Sequence, residues 1–234
     1  MSGSLSYHEK LELANLLEEK ANRKKYNAIN ALFPDTGPLR RELYPKHLAF
    51  FDAGVEHRER LFMAGNRVGK TIAGGYEATC HLTGVYPHWW RGRRFDRPAK
   101  ALAAGDTRST TRDIIQDKML GMFEDMGTGL IPKSRIVGSP SRVQGISKAV
   151  EEVKVQSAFG GISTLMLRSY DQGRKIFQGF EADLIWLDEE VPQDIYAEAL
   201  VRTMTTGGML MMTFTPLQGL TPLVVDFMET AGLL

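Results

Sequence analysis

Apolar and polar positions fall into short blocks along the chain, and the blocks predict helices and buried strands in turn. Residues 8–25 place Leu11, Leu13, Ala14, Leu16, Leu17 and Ala21 at mostly helical spacing, with Arg23, Lys24 and Lys25 at the end as a helix dipole favours. This reads as an amphipathic helix packed on the main domain, with partner binding as the alternative. Pro34 to Pro38 (PDTGP) is a loop by composition. Tyr44–Phe51 reads as a helix with Leu48, Phe50 and Phe51 in the core, and the short apolar run from Leu61 ends in a tight polar loop. A helix follows over residues 70–83, ending near Gly84. Ala99–Ala104 predicts a strand, then a turn at Gly105–Thr107 and a helix through Thr111–Met122. Val153–Ser157 and Ile162–Arg168 form a plausible hairpin across Phe159-Gly160-Gly161. Leu184–Leu187 and Met209–Met212 suit buried strands, the latter stopped by Pro216.

The bulk properties narrow this picture. With 234 residues and 43% hydrophobic content, the chain can bury one sizeable core. Its net charge of +1 announces no nucleic acid globally, although a local basic face can be offset elsewhere. The single Cys80 excludes an intrachain disulfide framework and a Cys-rich zinc site, and fits a reducing compartment. No run of about 18 apolar residues exists, nor a signal-peptide pattern, so the expectation is a soluble intracellular protein without a membrane span.

The chemistry concentrates at Ala64-Gly65-Asn66-Arg67-Val68-Gly69-Lys70-Thr71. An apolar run, a polar loop and Gly-Lys-Thr opening a helix form the P-loop arrangement, with Ala64 where the strict pattern has Gly. Successive backbone N–H groups can wrap phosphates at a helix N-terminus. Lys70 is placed for the β- and γ-phosphates and the Thr71 hydroxyl for Mg²⁺. Arg67 is a candidate for neutralising charge at the γ-phosphate; the bland alternative is an exposed loop arginine or one paired with Glu189 or Glu190. Upstream, Tyr44 can stack on a base and His47 can hydrogen-bond its edge, or both are core.

Asp188-Glu189-Glu190 ends the apolar run Leu184–Leu187, where ligands bind in open α/β sheets. Asp188 is expected to hold Mg²⁺ through its water shell, and Glu189 to orient and deprotonate the attacking water. Residues 181–198 carry seven acids and no Lys or Arg, so Glu190 reads as a solvated cap. With the P-loop, this pair points to a nucleoside-triphosphate hydrolase. Thr213 and Thr215, ending the last apolar run, can sense nucleotide state and couple it onward. Two basic stretches remain. Residues 91–100 hold five Lys/Arg among aromatics and suit a nucleic-acid backbone or a loop pinned by Trp89 and Trp90; residues 132–148 hold four Lys/Arg and no acid and read as a mobile loop.

The order Tyr-Pro-Lys-His, Ala-Gly-Asn-Arg-Val-Gly-Lys-Thr, Gly-Arg-Lys-Ile-Phe-Gln-Gly, Leu-Ile-Trp-Leu-Asp-Glu-Glu and Thr-Phe-Thr-Pro resembles the ATPase domain of the large terminase subunit of tailed bacteriophages. The resemblance covers about residues 40–222. It implies a RecA-like P-loop NTPase of the additional-strand, catalytic-glutamate class, with a mostly parallel central sheet flanked by helices. It divides the chain into an accessory segment, 1–38, and an ATPase domain, 39–234. It implies ATP and Mg²⁺ as cofactors, and double-stranded DNA, a portal protein and a small terminase subunit as partners. It further implies a homo-oligomeric ring on assembly, a monomer when isolated, and action in the host cytoplasm. Family members usually continue into a nuclease with an acidic two-metal cluster, and no nuclease activity is expected of this chain. Some place a trans-acting arginine just before the Asp-Glu strand; Gln178 falls there, leaving Arg174, four residues earlier, as the candidate. A two-lobed helicase, a P-loop kinase and a nucleotide-binding scaffold remain alternatives, while the lack of an Asn-Lys-x-Asp segment argues against a GTPase.

Overall fold

A computed structural model describes residues 6–217 and 219–231; the ends of the expected segments, 1–5 and 232–234, lie outside them. Seven strands form one sheet: β1 (Glu59–Met63), β2 (Lys100–Gly105), β3 (Ile136–Arg142), β4 (Val150–Gln156), β5 (Ile162–Ser169), β6 (Leu184–Asp188) and β7 (Met209–Phe214). The order is β1-β7-β6-β2-β5-β4-β3. The first five are parallel, and β4 and β3 extend the sheet antiparallel. The hairpin expected over residues 153–168 is therefore present as β4 and β5.

Period-two alternation sorts side chains to the two faces of this sheet. Ala101, Ala103, Leu184, Trp186, Met209 and Met211 join one core with helices α2 (Pro45–Asp52) and α3 (Lys70–Thr83). Leu102, Ala104, Ile185, Leu187, Leu210 and Met212 join the other, under α6 (Gln193–Met204) and α7 (Pro222–Thr230). With both faces covered, β6 and β7 are buried throughout, which explains why they read as unbroken apolar runs. Helix α3 lies close on the sheet because Gly74 has no side chain: a Cβ there would stand 2.4 Å from the Trp186 ring. Gly84, in the left-handed region at φ 66°, ends α3 where expected.

Three expectations change. Helix α1 (Tyr7–Lys25) forms behind a Ser6–Glu9 capping box, but none of its residues is buried, so it does not pack on the domain. Among the described residues its ties to the domain lie at its end, where Lys25 and Tyr26 meet Asp125. Phe33, in contrast, lies in the core against Tyr44, Phe51 and Tyr76. The basic stretch 132–148 is not simply a loop: it contains β3, paired to β4 with register shifts around Pro140. The helix after β2 is not uniform either. Thr107 caps α4 (Arg108–Thr110), a π-helical turn spans Thr111–Gln116, and α5 (Asp117–Leu120) closes it.

Candidate active site

Strand β7 lies between β1, which leads into the polar loop, and β6, which ends in the acidic pair. One strand thus spaces the loop from the carboxylates. Ala64 continues the ladder, its N–H donating to Phe214 O at 3.3 Å, and its φ is negative; no glycine is needed there. The loop turns at Arg67 (φ 61°) and Gly69 (φ 87°), and α3 begins at Lys70.

The buried Lys70 ammonium donates to Gly65 O at 2.7 Å and to Thr215 Oγ1 at 2.8 Å, and Thr215 Oγ1 donates to Asn66 Oδ1 at 2.8 Å. Thr71 Oγ1 stands 3.1 Å from Asp188 Oδ2. On the same sheet face, Trp186 Nε1 donates to Thr213 Oγ1 at 2.7 Å, and Thr213 Oγ1 donates to Asp188 Oδ1 at 2.5 Å. Indole nitrogen can only donate, so the Thr213 proton is committed to Asp188. Burial pushes the Asp188 pKa up to about 7, with Glu189 adding to the rise, while the hydroxyls of Thr213 and Thr71 and the charge of Lys70 pull it down.

Glu189 follows, half-buried and in the left-handed region at φ 69°, with its N–H on Thr213 O at 3.0 Å. Glu190 is not the solvated cap expected: it is only partly exposed, and its Oε2 is buried without a hydrogen-bond partner among the described residues. Arg67 is exposed. Among the described residues its side chain makes no ion pair or hydrogen bond, neither with Glu189 nor with Glu190. Arg174 lies apart from this cluster, on the surface, with Nε 3.4 Å from Glu198 of α6.

His47 is buried beneath the loop, and a Cβ on Gly69 would meet its Nε2 at 3.1 Å. Burial lowers its pKa, against hydrogen bonding with the backbone of Gly69 and Val68. Tyr44 packs edge-on against Phe33 and His47. Both line a groove of about 1510 Å³ that runs from Val68 along β1 to Phe227 of α7.

Of the five basic residues in 91–100, Arg93, Arg94 and Arg97 have partners within the fold, while Arg91 and Lys100 are exposed. Arg93 donates to Gly207 O, Arg94 to Trp90 O, and Arg97 forks onto Asp183 at 2.6 and 3.2 Å. In 132–148, Lys133 pairs with Asp125 and Lys148 with Glu124, and Arg142 lies over the Phe123 ring.

The donor set suits a magnesium–nucleotide complex. Thr71 and Asp188 offer adjacent hard oxygens, and Mg²⁺ in phosphate sites takes only one or two protein ligands. Lys70 and the loop backbone offer positive charge to phosphates. Two groups here were not legible in the sequence. Trp186 reads locally as one more apolar residue, and Tyr170, which reaches the end of β6 from β5, reads as part of a polar segment.

The fold and site define a mixed α/β protein with a glycine-bearing loop at a helix N-terminus and an acidic pair at the carboxyl edge of its parallel strands. The chain belongs to the family described as terminase large subunit, T4likevirus-type, N-terminal, whose model matches residues 61–232. It is 35% identical, over 247 aligned positions, to the terminase large subunit of Salmonella phage P22. That match covers 97% of this chain but 47% of the relative, so the chain spans less than half its length. Among solved structures it resembles the HK97 bacteriophage large terminase with a TM-score of 0.51 and 14% identity, over 82% of this chain and 37% of that one; this likeness concerns the fold alone. Among the described residues no helix is long and apolar enough to cross a membrane.

Proposed function

We propose that this chain is the ATP-hydrolysing part of a phage DNA-packaging motor, with a RecA-like core of the additional-strand class. Support for the class comes from the placement of β7 between the loop strand and the acidic strand. The observation that carries the reading is the meeting of Thr71 and Asp188 at 3.1 Å, with Glu189 next in the chain.

Lys70 and the backbone from Gly65 to Gly69 bind the triphosphate, and Thr71 and Asp188 would hold Mg²⁺, which would supply charge neutralisation on the phosphate oxygens. Glu189 orients a water and accepts its proton as the oxygen attacks the γ-phosphorus, giving ADP and phosphate. Arg67 is free to turn toward the γ-phosphate of its own site. Arg174, exposed on another surface, suits a role across a ring interface. Tyr44 and His47 shape the groove for the base. Thr215 touches both Lys70 and Asn66, and Thr213 touches Asp188, so the end of β7 can pass the state of the site onward. The work driven is translocation of double-stranded DNA through a portal, with a small terminase subunit, in the host cytoplasm.

The test is ATP binding and steady-state turnover across protein concentration, with and without long duplex DNA. Lys70→Ala is expected to abolish tight Mg²⁺–ATP binding, and Glu189→Gln to bind normally and lose turnover. Wild-type turnover in Glu189→Gln would remove the base, and strand separation on a forked duplex would place the chain among helicases instead.

A further inference from the structure

Tyr170 follows directly on β5, and its ring enters the core on the α6 face of the sheet. Its hydroxyl crosses the end of β2 to reach β6, with Ala104 O at 3.2 Å, Asp188 O at 2.9 Å and Glu189 O at 3.4 Å. Burial holds the phenol protonated, its pKa well above the ordinary value, with the charges of Asp188, Glu189 and Asp106 adding to the rise. Carbonyl oxygens only accept, so among these three the hydroxyl is the donor.

The Asp188 and Glu189 carbonyls belong to the turn that aims Glu189, and that of Ala104 to the end of β2. A non-glycine residue at φ 69° persists only where the surroundings over-determine it. Two hydrogen bonds do so: the Glu189 N–H on Thr213 O from one side, and the Tyr170 hydroxyl on the flanking carbonyls from the other. Tyr170 also begins the segment that carries Arg174. Its ring is anchored while Gly173, at φ 73°, turns the chain outward to Arg174, and Ser169 Oγ bonds Asp171 and Gln172.

We propose that Tyr170 is the positioning residue of the hydrolytic step. It fixes the backbone turn that points the Glu189 carboxylate, and it ties that turn to the segment bearing Arg174. The role rests on Glu189 being the base for water, as proposed above.

The experiment is Tyr170→Phe, which keeps the ring and removes only the hydroxyl, on protein concentrated enough to show its full turnover. Three quantities are read: ATP affinity, kcat, and hydrogen exchange of the Glu189 amide. The expected result is unchanged ATP affinity and KM, a kcat lower by roughly ten- to a hundred-fold, as displacement of a catalytic group costs, and faster exchange at Glu189 with β6 interior amides unmoved. In the Glu189→Gln background the substitution should change exchange but lower turnover no further. A wild-type kcat in Tyr170→Phe overturns the proposal, as does unchanged exchange at Glu189, or loss of ATP affinity together with general loss of protection, which would mark Tyr170 as an ordinary core residue. Failure of the wild-type chain to bind or hydrolyse ATP would instead remove the hydrolase reading; Glu189 exchange then still reports whether Tyr170 holds the turn.

Discussion

Arg60 of β1 and Glu77 of α3 form a buried, two-pronged ion pair, at 2.6 and 3.1 Å, that joins the strand entering the phosphate loop to the helix leaving it. Arg60 also donates to Phe50 O. Glu77 lies 3.4 Å from His81 Nε2, Tyr86 O–H bonds His81 Nδ1, and the Phe95 N–H donates to the Tyr86 oxygen. This order of donors and acceptors gives neutral His81 its proton on Nε2. Because a charge left alone in the interior is costly, Glu77→Gln should destabilise the fold by about 3–5 kcal/mol. The double variant Arg60→Met with Glu77→Leu should be much milder. Urea unfolding of the three proteins checks this; equal losses would mean that packing, not charge, dominates.

The same cluster sets a pH dependence. For Glu77, burial raises the pKa, but the Arg60 charge and the hydrogen bonds from His81 and Arg60 outweigh it, and the net shift is downward. Burial lowers that of His81. Both folded groups resist protons that the unfolded chain accepts. Their contribution is therefore complete above the ordinary histidine value of 6.5, starts to fall below it, and falls further below the ordinary glutamate value of 4.5. Unfolding midpoints measured between pH 8 and pH 4 should show the upper step, and His81→Phe should shrink it, leaving the share of His47, whose pKa burial also lowers.

Thr213 and Thr215 should respond differently to valine. Thr213→Val leaves the Trp186 indole and one Asp188 oxygen without their shared hydroxyl, so it should cost about 1–3 kcal/mol of stability and weaken the Mg²⁺ dependence of turnover. Thr215→Val, at a more accessible position, should leave stability within about 0.5 kcal/mol and act on the Lys70–Asn66 arrangement. Thermal melts and magnesium titrations separate the two; identical behaviour would contradict the geometry.

Arg67→Ala should lower turnover about a thousand-fold at unchanged ATP affinity, on the scale of arginines in related phosphoryl-transfer sites, and Arg67→Lys should not rescue it. Mixed with Glu189→Gln subunits, Arg67→Ala should stay inactive, whereas Arg174→Ala should regain some activity. Recovery by Arg67→Ala would place that arginine across the interface.

Asp125→Asn should release the end of α1 without touching turnover. Lys25 and Tyr26 both bind Asp125, and with Lys133 they hold its pKa down to about 2, the Lys25 hydrogen bond contributing most. Limited proteolysis near Arg23–Lys25 should quicken in the variant.

The parts of the site that were readable in the sequence are local. Gly69-Lys70-Thr71 lies within one turn, and Asp188 and Glu189 end one apolar run, so spacing alone carried them. The α/β alternation was readable because two-sided burial makes β6 and β7 uniformly apolar. What escaped depends on residues far apart in the chain. Arg60 and Glu77 stand 17 residues apart, and nothing local marks them as a pair before the fold brings them together. Arg93 and Arg97 looked free for a polyanion until Gly207 O and Asp183 claimed them. For α1, a helical period predicts the helix but not whether its apolar face meets a partner, and its leucines stay exposed.

Trp186 gives the protein a built-in optical probe. Its indole N–H is one threonine hydroxyl away from Asp188, whereas Trp89 and Trp90 sit in the aromatic cluster with Phe51 and Tyr76. A cation arriving beside that carboxylate alters the field along the indole, so its emission colour and lifetime should track occupancy of the site without any attached dye. With Trp89 and Trp90 replaced by phenylalanine, a single emitter would remain, and each stage of a turnover could be followed as light in real time.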